Sequence, residues 1–195
     1  MRLRNVERGD GIGSKLLFGL IRLVSGFRAP DVVRTLRYHR SVFGDPHSRH
    51  TQAVMRGPSD WTVGERELFA AFVSRLNQCV FRTRAHAAVA AKAAGGENIK
   101  LVLDDYLTAP IDEKLRGTLG LLKRMTLEPE RLVPDDVRSV LALGVSRQAV
   151  EDAMHVAFLF NVFDRLADTM GWDVPAEGSG FWPTSAKMLL SRGYK

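Results

Sequence analysis

The chain has 195 residues, a length that suits one well-filled core or one compact domain with an appended arm. Apolar residues make up 45% and charged residues 26%, a composition that excludes the disordered, fibrous and membrane-spanning classes of protein. The net charge of +6 belongs to the first part of the chain, since residues 1–60 contain 11 Lys/Arg against 5 Asp/Glu and the remainder is balanced at 17 against 17.

Residues 1–60 are predicted to form a basic amino-terminal arm whose short helices pack on the core, the clearest at Ser14–Leu23 and Pro30–Arg37. The cations of the arm are scattered among acids, without the dense cluster or stacking motif of a nucleic-acid site. A basic arm could attract nucleic acid or an acidic membrane surface. We favour its interpretation as a solvated face or a subunit contact, and expect no nucleic-acid and no membrane partner. The apolar run at 16–21 is too short to span a bilayer, and the single cysteine suits a reducing compartment, so a cytoplasmic protein is expected.

Residues 61–172 are predicted to form a helical core domain, because apolar residues recur there at spacings of three and four. Thr62 and Glu65 have the spacing of a capping box, which opens a helix that carries five apolar residues inward: Leu68, Phe69, Phe72, Val73 and Leu76. A second helix is predicted from a cap at Asn77 to the glycine pair at 95–96.

Three further helices are predicted in the second half of the chain. Pro110 is expected to open one that ends near Arg124, Pro134 and Gly144 to bracket another, and Ser146 to begin the longest, which ends at Gly171. Residues 173–195 form an aromatic carboxy-terminal tail. We expect its rings to pack on the chain's own core or on a neighbouring subunit.

The grouping that carries chemistry is Glu67, Cys79 and His86. Cys79 and His86 are seven residues apart, which places them on one face of a helix, and a bend near Asn77 is needed to bring Glu67 to them. The first turn of a helix and the charge of Arg82, three residues on, both favour a Cys79 thiolate. His86 is then a candidate base or proton relay, oriented by Glu67.

Purely structural roles for these residues are also open. Cys79 also fits an inert buried thiol, and His86 a hydrogen-bonded structural histidine. One cysteine, one histidine and one glutamate make an incomplete metal-ligand set, so no metal is expected. His155 borders an apolar stripe and is predicted to be buried, with a pocket role as the alternative.

The same residues resemble the pattern Glu-x11-Cys-x2-Cys-x3-His of the alkylhydroperoxidase D and carboxymuconolactone decarboxylase superfamily, in its peroxidase-related branch. Here the pattern reads Glu67, Cys79, Arg82 and His86. Further similar segments follow in the same order, at residues 65–68, 74–79, 123–126, 136–137 and 160–168, and the resemblance covers roughly residues 35–172.

The resemblance implies an all-α, alkylhydroperoxidase D-like helical bundle, a homo-oligomer and a small-molecule substrate, without a cofactor. It also implies that Asn161 lines the substrate cavity. The sequence departs from the pattern at two positions, because Arg82 replaces the second cysteine of the redox pair and Phe81 stands where a histidine is common. Both residues are counted with His155 and Asn161 as candidates for substrate binding.

Three functions remain open at this point, and the first is the leading hypothesis. The first is a peroxidase-like oxidoreductase in which Cys79 alone attacks a hydroperoxide and an external thiol recycles it. The second is decarboxylase-like acid–base chemistry by His86 and Glu67, with Arg82 on the substrate's carboxylate. The third is a non-catalytic protein that retains the fold without the redox pair.

Overall fold

The structure, a computed structural model, describes residues 1–9, 11–96 and 98–194. In this part of the chain all regular structure is helical. The helices are α1 (Arg4–Arg8), α2 (Ile12–Ser25), α3 (Asp31–Arg37), α4 (Asp45–Arg56), α5 (Val63–Leu76), α6 (Val80–Ala94), α7 (Asn98–Asp105), α8 (Glu113–Leu127), α9 (Pro134–Ala142), α10 (Arg147–Met170) and α11 (Phe181–Arg192). A π-helical turn at Arg40–Gly44 and a 3₁₀ turn at Pro129–Arg131 complete the set.

The centre of the bundle is a hairpin of α5 and α6, against which α8, α10 and α11 pack. The two helices run antiparallel, since Gly64 near the start of α5 lies beside Ala93 and Ala94 at the end of α6. The predicted capping box of α5 is confirmed: the Glu65 amide donates to Thr62 Oγ1 at 3.2 Å, and the Thr62 amide donates to Glu65 Oε2 at 2.8 Å. The start of α10 at Ser146 and its end at Gly171 are also confirmed.

Two predicted helix starts are wrong. Asn77 ends α5 instead of opening α6, and the chain reverses at Gln78, whose φ of 61° is left-handed. Pro110 lies ahead of α8, because the Asp112 side chain accepts the amide of Leu115 at 2.8 Å and so caps the helix later in the chain. Helices α4, α7 and α11 were not predicted individually, although α4 lies in the arm that was expected to contain short helices and α11 in the aromatic tail.

The arm and the tail of this chain join in a second apolar cluster beside the main core. Phe81, Phe163, Trp172, Phe181 and Trp182 are buried there, and partly buried residues of the arm pack against them, among them Phe27, Val32, Leu36 and Phe43. The tail aromatics therefore cover the chain's own core, which is one of the two expected locations. In the described ranges no helix combines the length and the apolar character needed to cross a bilayer.

Gly44 fixes how closely the π-helical turn approaches α3, since a Cβ at this position would overlap the carbonyl oxygen of Leu36. We expect Gly44→Ala to lower the free energy of unfolding by about 3 kcal/mol, measured by urea denaturation. Gly19→Ala is the matched control, because its Cβ would meet open space within α2, and it should raise stability by up to about 1 kcal/mol. Equal effects of the two substitutions would contradict the close approach.

Candidate functional site

A cavity of about 380 Å³ lies between the arm, α6, α10 and the tail. Its walls are mostly apolar, contributed by Val32, Val33, Leu36, Phe81, Ala85, Phe163, Phe181, Met188 and Leu189. Its charged and aromatic polar groups are His47, His86 and Tyr194, three arginines, Arg37, Arg40 and Arg82, and one carboxylate, Asp45, which pairs with Arg40 at 2.6 Å. Apolar walls with convergent polar groups are typical of a small-molecule site, and the excess of cations favours a ligand with an anionic end.

Glu67 and His86 meet as predicted. His86 follows α6 inward, Glu67 lies in the middle of α5, and both are buried. His86 Nδ1 is 2.7 Å from Glu67 Oε2. Because an ionised carboxylate only accepts, Nδ1 carries the proton, which leaves the lone pair of neutral His86 on Nε2.

Two further groups hold the Glu67 carboxylate, and both come from outside the α5–α6 hairpin. Arg56 Nη2 donates to Glu67 Oε1 at 2.6 Å, and the Tyr194 hydroxyl donates to the same oxygen at 2.8 Å. Burial alone would raise the pKa of Glu67, but the hydrogen bond from His86, together with the charge and hydrogen bond of Arg56, opposes it, and the pKa lies below its usual value. Glu67 is therefore an anion in this site.

The electrostatics keep His86 neutral and Tyr194 protonated. Burial lowers the pKa of His86, and the cations of Arg82 and Arg56 act in the same direction against the opposing effect of Glu67. Burial also raises the pKa of Tyr194 well above its ordinary value, with the Glu67 charge adding to the effect. The site thus holds a neutral imidazole and a neutral phenol around one carboxylate.

Arg82 is a buried cation whose hydrogen bonding is incomplete. Its Nη1 lies 3.3 Å from His86 Nε2, and its guanidinium lies 3.8 Å from the ring centroid of Phe163. Two of its nitrogens, Nε and Nη2, are buried without a hydrogen-bond partner. Burial lowers its pKa to about 10, so it stays charged at neutral pH. A buried charge with unused donors is unfavourable unless a ligand or water completes it.

Cys79 is not brought into the cavity. It caps α6, is fully buried in the second apolar cluster, and does not line the chamber that His86 and Arg82 line. Burial raises the pKa of its thiol to about 12, and the nearby charges of Asp164 and Asp168 add to the shift, while a backbone hydrogen bond from Arg82 opposes it. The predicted thiolate is wrong, because the modest effect of a helix terminus is outweighed by desolvation and by two carboxylates.

Of the three remaining candidates for substrate binding, only Phe81 lines the cavity. It packs edge-on against Trp172. His155 is exposed on α10, so its predicted burial and pocket role are wrong. Asn161 lies outside the cavity, where its side chain bonds Asn77 at 3.1 Å and Thr126 at 3.2 Å; its role is to join helices.

Sequence reasoning missed Arg56 and the site role of Tyr194. Arg56 ends α4 and stands in no motif, and the position of Tyr194 follows from α11 folding back along α6. The Arg56 guanidinium lies over the Tyr194 ring at 4.9 Å, and the Tyr194 amide donates to Gln52 Oε1 at 2.7 Å, so the tail is fastened beside Glu67. Within residues 1–9, 11–96 and 98–194, no three His, Cys, Asp or Glu side chains converge as metal ligands would.

We expect Cys79 to resist alkylation by iodoacetamide in the folded protein at pH 8, and to react once urea unfolds the chain, because the thiol is both buried and protonated. Intact-mass spectrometry measures the added carbamidomethyl group, and Cys79→Ser controls for labelling elsewhere. Rapid labelling of the folded protein, with a midpoint at or below the free-thiol pKa of about 8.5, would contradict the burial.

His47 is the second titrating group of the cavity wall, stacked on Phe163 with ring centroids 4.0 Å apart. Burial and the charge of Arg82 lower its pKa to about 4 from 6.5. The folded state binds this proton more weakly than the unfolded chain, so stability is complete above pH 6.5 and falls as the pH approaches 4.

Replacing His47 with Gln should therefore flatten the pH dependence of unfolding. We expect wild type to lose about 1 kcal/mol more than His47→Gln between pH 7 and pH 5, allowing for partial solvent screening. Urea denaturation at both values measures the difference, and the titration of Asp164 is common to both proteins. Parallel pH profiles would show that His47 titrates normally.

Two solved structures share this architecture. One is described as an uncharacterized peroxidase-related protein from Silicibacter sp. TM1040; it is 23% identical, with a TM-score of 0.74 over 87% of this chain and 88% of that one. The other, described as an alkylhydroperoxidase AhpD core and uncharacterized peroxidase-related protein from Ralstonia eutropha JMP134, is 23% identical, with a TM-score of 0.72 over 86% and 87%. No family model and no curated protein matches the sequence significantly. The predicted fold class is confirmed: the chain is an all-α, alkylhydroperoxidase D-like helical bundle.

Proposed function

We propose that the chain is an acid–base enzyme for a small molecule with a carboxylate and an apolar body. The observation that carries this proposal is the arrangement around His86: its Nδ1 bonds an ionised Glu67, and its Nε2 faces Arg82, a cavity-lining cation with two unused donors. A base, the group that orients it and a site for an anion thus lie side by side.

Arg82 is the proposed binding group for the carboxylate. Nε and Nη2 lie on the same edge of a guanidinium, and this edge accepts a carboxylate through two parallel hydrogen bonds. Binding there would satisfy both unpartnered nitrogens at once. The apolar walls then accommodate the rest of the molecule, which is excluded from water together with the reacting bond.

His86 is the proposed proton acceptor, at Nε2, once the bound carboxylate draws Arg82 Nη1 away from the lone pair that it contacts at 3.3 Å. Glu67 keeps the imidazole in the tautomer with the proton on Nδ1 and stabilises the imidazolium that forms when Nε2 takes a proton from the substrate. Substrate binding would assist this step. The charge of Arg82 is one of the causes that lower the pKa of His86, and a bound carboxylate neutralises that charge.

Proton exchange in D₂O tests the proposal without knowledge of the full reaction. We expect members of a panel of small keto acids and unsaturated or lactone acids to lose C–H signal intensity in ¹H NMR when the protein is added. His86→Gln and Glu67→Gln should lower the exchange rate by about 100-fold or more, the smaller end of the usual effect of general-base removal, whereas Cys79→Ser retains it. Exchange that survives His86→Gln and is lost in Cys79→Ser would contradict the assignment.

Arg82 can be tested by binding alone. Arg82→Met should weaken the binding of benzoate, measured by calorimetry, by at least tenfold, because a bidentate charged pair is lost. Arg84→Met is the matched control, since Arg84 is a partly exposed cation two positions along α6 that contacts Glu177 at 3.4 Å and does not line the cavity. Equal weakening by both substitutions would indicate a general charge effect.

A second candidate is peroxide reduction by Cys79, and the descriptions of the two similar structures as peroxidase-related favour it. The thiolate would attack the distal oxygen of a hydroperoxide, releasing an alcohol after protonation and leaving a sulfenic acid. One external thiol would form a mixed disulfide with loss of water, and a second would release Cys79 reduced. This route requires an opening that exposes Cys79, and a sulfenate adduct found by mass spectrometry after brief peroxide treatment would support it over the acid–base proposal.

A further inference from the structure

Helix α2 carries an apolar face that the rest of the described chain does not cover. Ile12, Leu16, Leu20, Leu23 and Val24 are between 56% and 83% exposed. At about 100° per residue these positions fall on one side of the helix, while Ser14 and Phe18 on the opposite side are buried against the protein. Five large aliphatic side chains together exceed the scattered apolar residues that a surface normally shows.

The charged residues of α2 itself are of one sign. The helix contains Lys15 and Arg22 and no carboxylate. Lys15 and Arg22 are seven apart, so they lie together along one edge of the exposed aliphatic face. Long cationic side chains at such an edge can extend toward a negatively charged plane while the aliphatic residues enter it.

The start of α2 lies close to the cavity. Gly11 and Gly13 share a shallow groove with Arg37, Arg40 and Asp45, of which Arg40 and Asp45 form an ion pair at 2.6 Å. The same three charged residues line the cavity of His86. The apolar face, its cations and one wall of the chamber therefore occupy neighbouring parts of the arm.

We propose that α2 docks this protein on an anionic lipid surface, with the five aliphatic residues in the interface and Lys15 and Arg22 at the phosphate level. Charge complementarity selects this occupant: an anionic bilayer neutralises Lys15 and Arg22, whereas the same face of a second copy offers them no carboxylate. Docking on a membrane surface replaces the expectation of no membrane partner. That expectation followed from the scattered spacing of the arm's cations, whereas docking follows from the exposed apolar face of α2.

Vesicle co-sedimentation tests the proposal. The full chain should bind vesicles of mixed phosphatidylcholine and phosphatidylglycerol, bind phosphatidylcholine vesicles at least tenfold more weakly, and release as salt is raised. Leu16→Ser combined with Leu20→Ser should reduce binding to the mixed vesicles at least tenfold. The matched control is Leu101→Ser combined with Leu107→Ser, which alters two aliphatic residues of similar exposure, 48% and 60%, away from α2 and leaves binding unchanged.

The charges are tested in the same assay. Lys15→Glu combined with Arg22→Glu should abolish binding, whereas Arg147→Glu combined with Lys187→Glu, with the same change in net charge, should reduce it less. Absence of wild-type binding to the mixed vesicles, or equal binding to both lipid compositions, would overturn the proposal. So would light scattering that shows a lipid-free dimer lost in the Leu16 and Leu20 variant, since a second copy would then cover the face.

Discussion

The buried negative charge of Glu67 is the constraint on which the site depends. A carboxylate in the middle of a core helix is unfavourable unless several donors surround it, and here those donors come from three separate parts of the chain: Arg56 of the arm, His86 of the central hairpin and Tyr194 of the tail. The arm and the tail are thus held against the core by the same group that orients His86. One interaction links the packing of the peripheral helices to the chemistry of the cavity.

Arg82 and Cys79 lie in opposite electrostatic surroundings. Arg82 is a buried cation that lies over Phe163 and reaches His86. Cys79 itself lies among apolar residues, near Asp164 and Asp168, where a thiolate is disfavoured. The local charge therefore favours an anionic ligand beside His86 over an anionic sulfur at Cys79, and this difference is why acid–base chemistry fits the geometry better than thiol chemistry.

Sequence predicted well where a local rule applies. The capping box at Thr62 and the serine cap at Ser146 follow from short-range hydrogen bonds, and both are confirmed. The seven-residue spacing did not bring Cys79 to His86, because Cys79 precedes α6 and lies in the second apolar cluster. The failures depend on tertiary contacts. The spacing of residues does not reveal whether a helix cap is solvated or buried, and burial is what keeps the Cys79 thiol protonated. Nor does it reveal that α4 and the tail return to Glu67, which is what places Arg56 and Tyr194 in the site.

The most direct test of the central claim is ¹⁵N NMR of His86 in the free protein and during titration with benzoate, with His86→Gln to assign the signals. The account predicts a neutral imidazole with the proton on Nδ1 at neutral pH, and an Nε2 resonance that shifts as benzoate occupies Arg82 and weakens its contact with His86. A proton on Nε2 in the free protein, or an Nε2 resonance unmoved at saturating benzoate, would contradict the joint role of Glu67, His86 and Arg82.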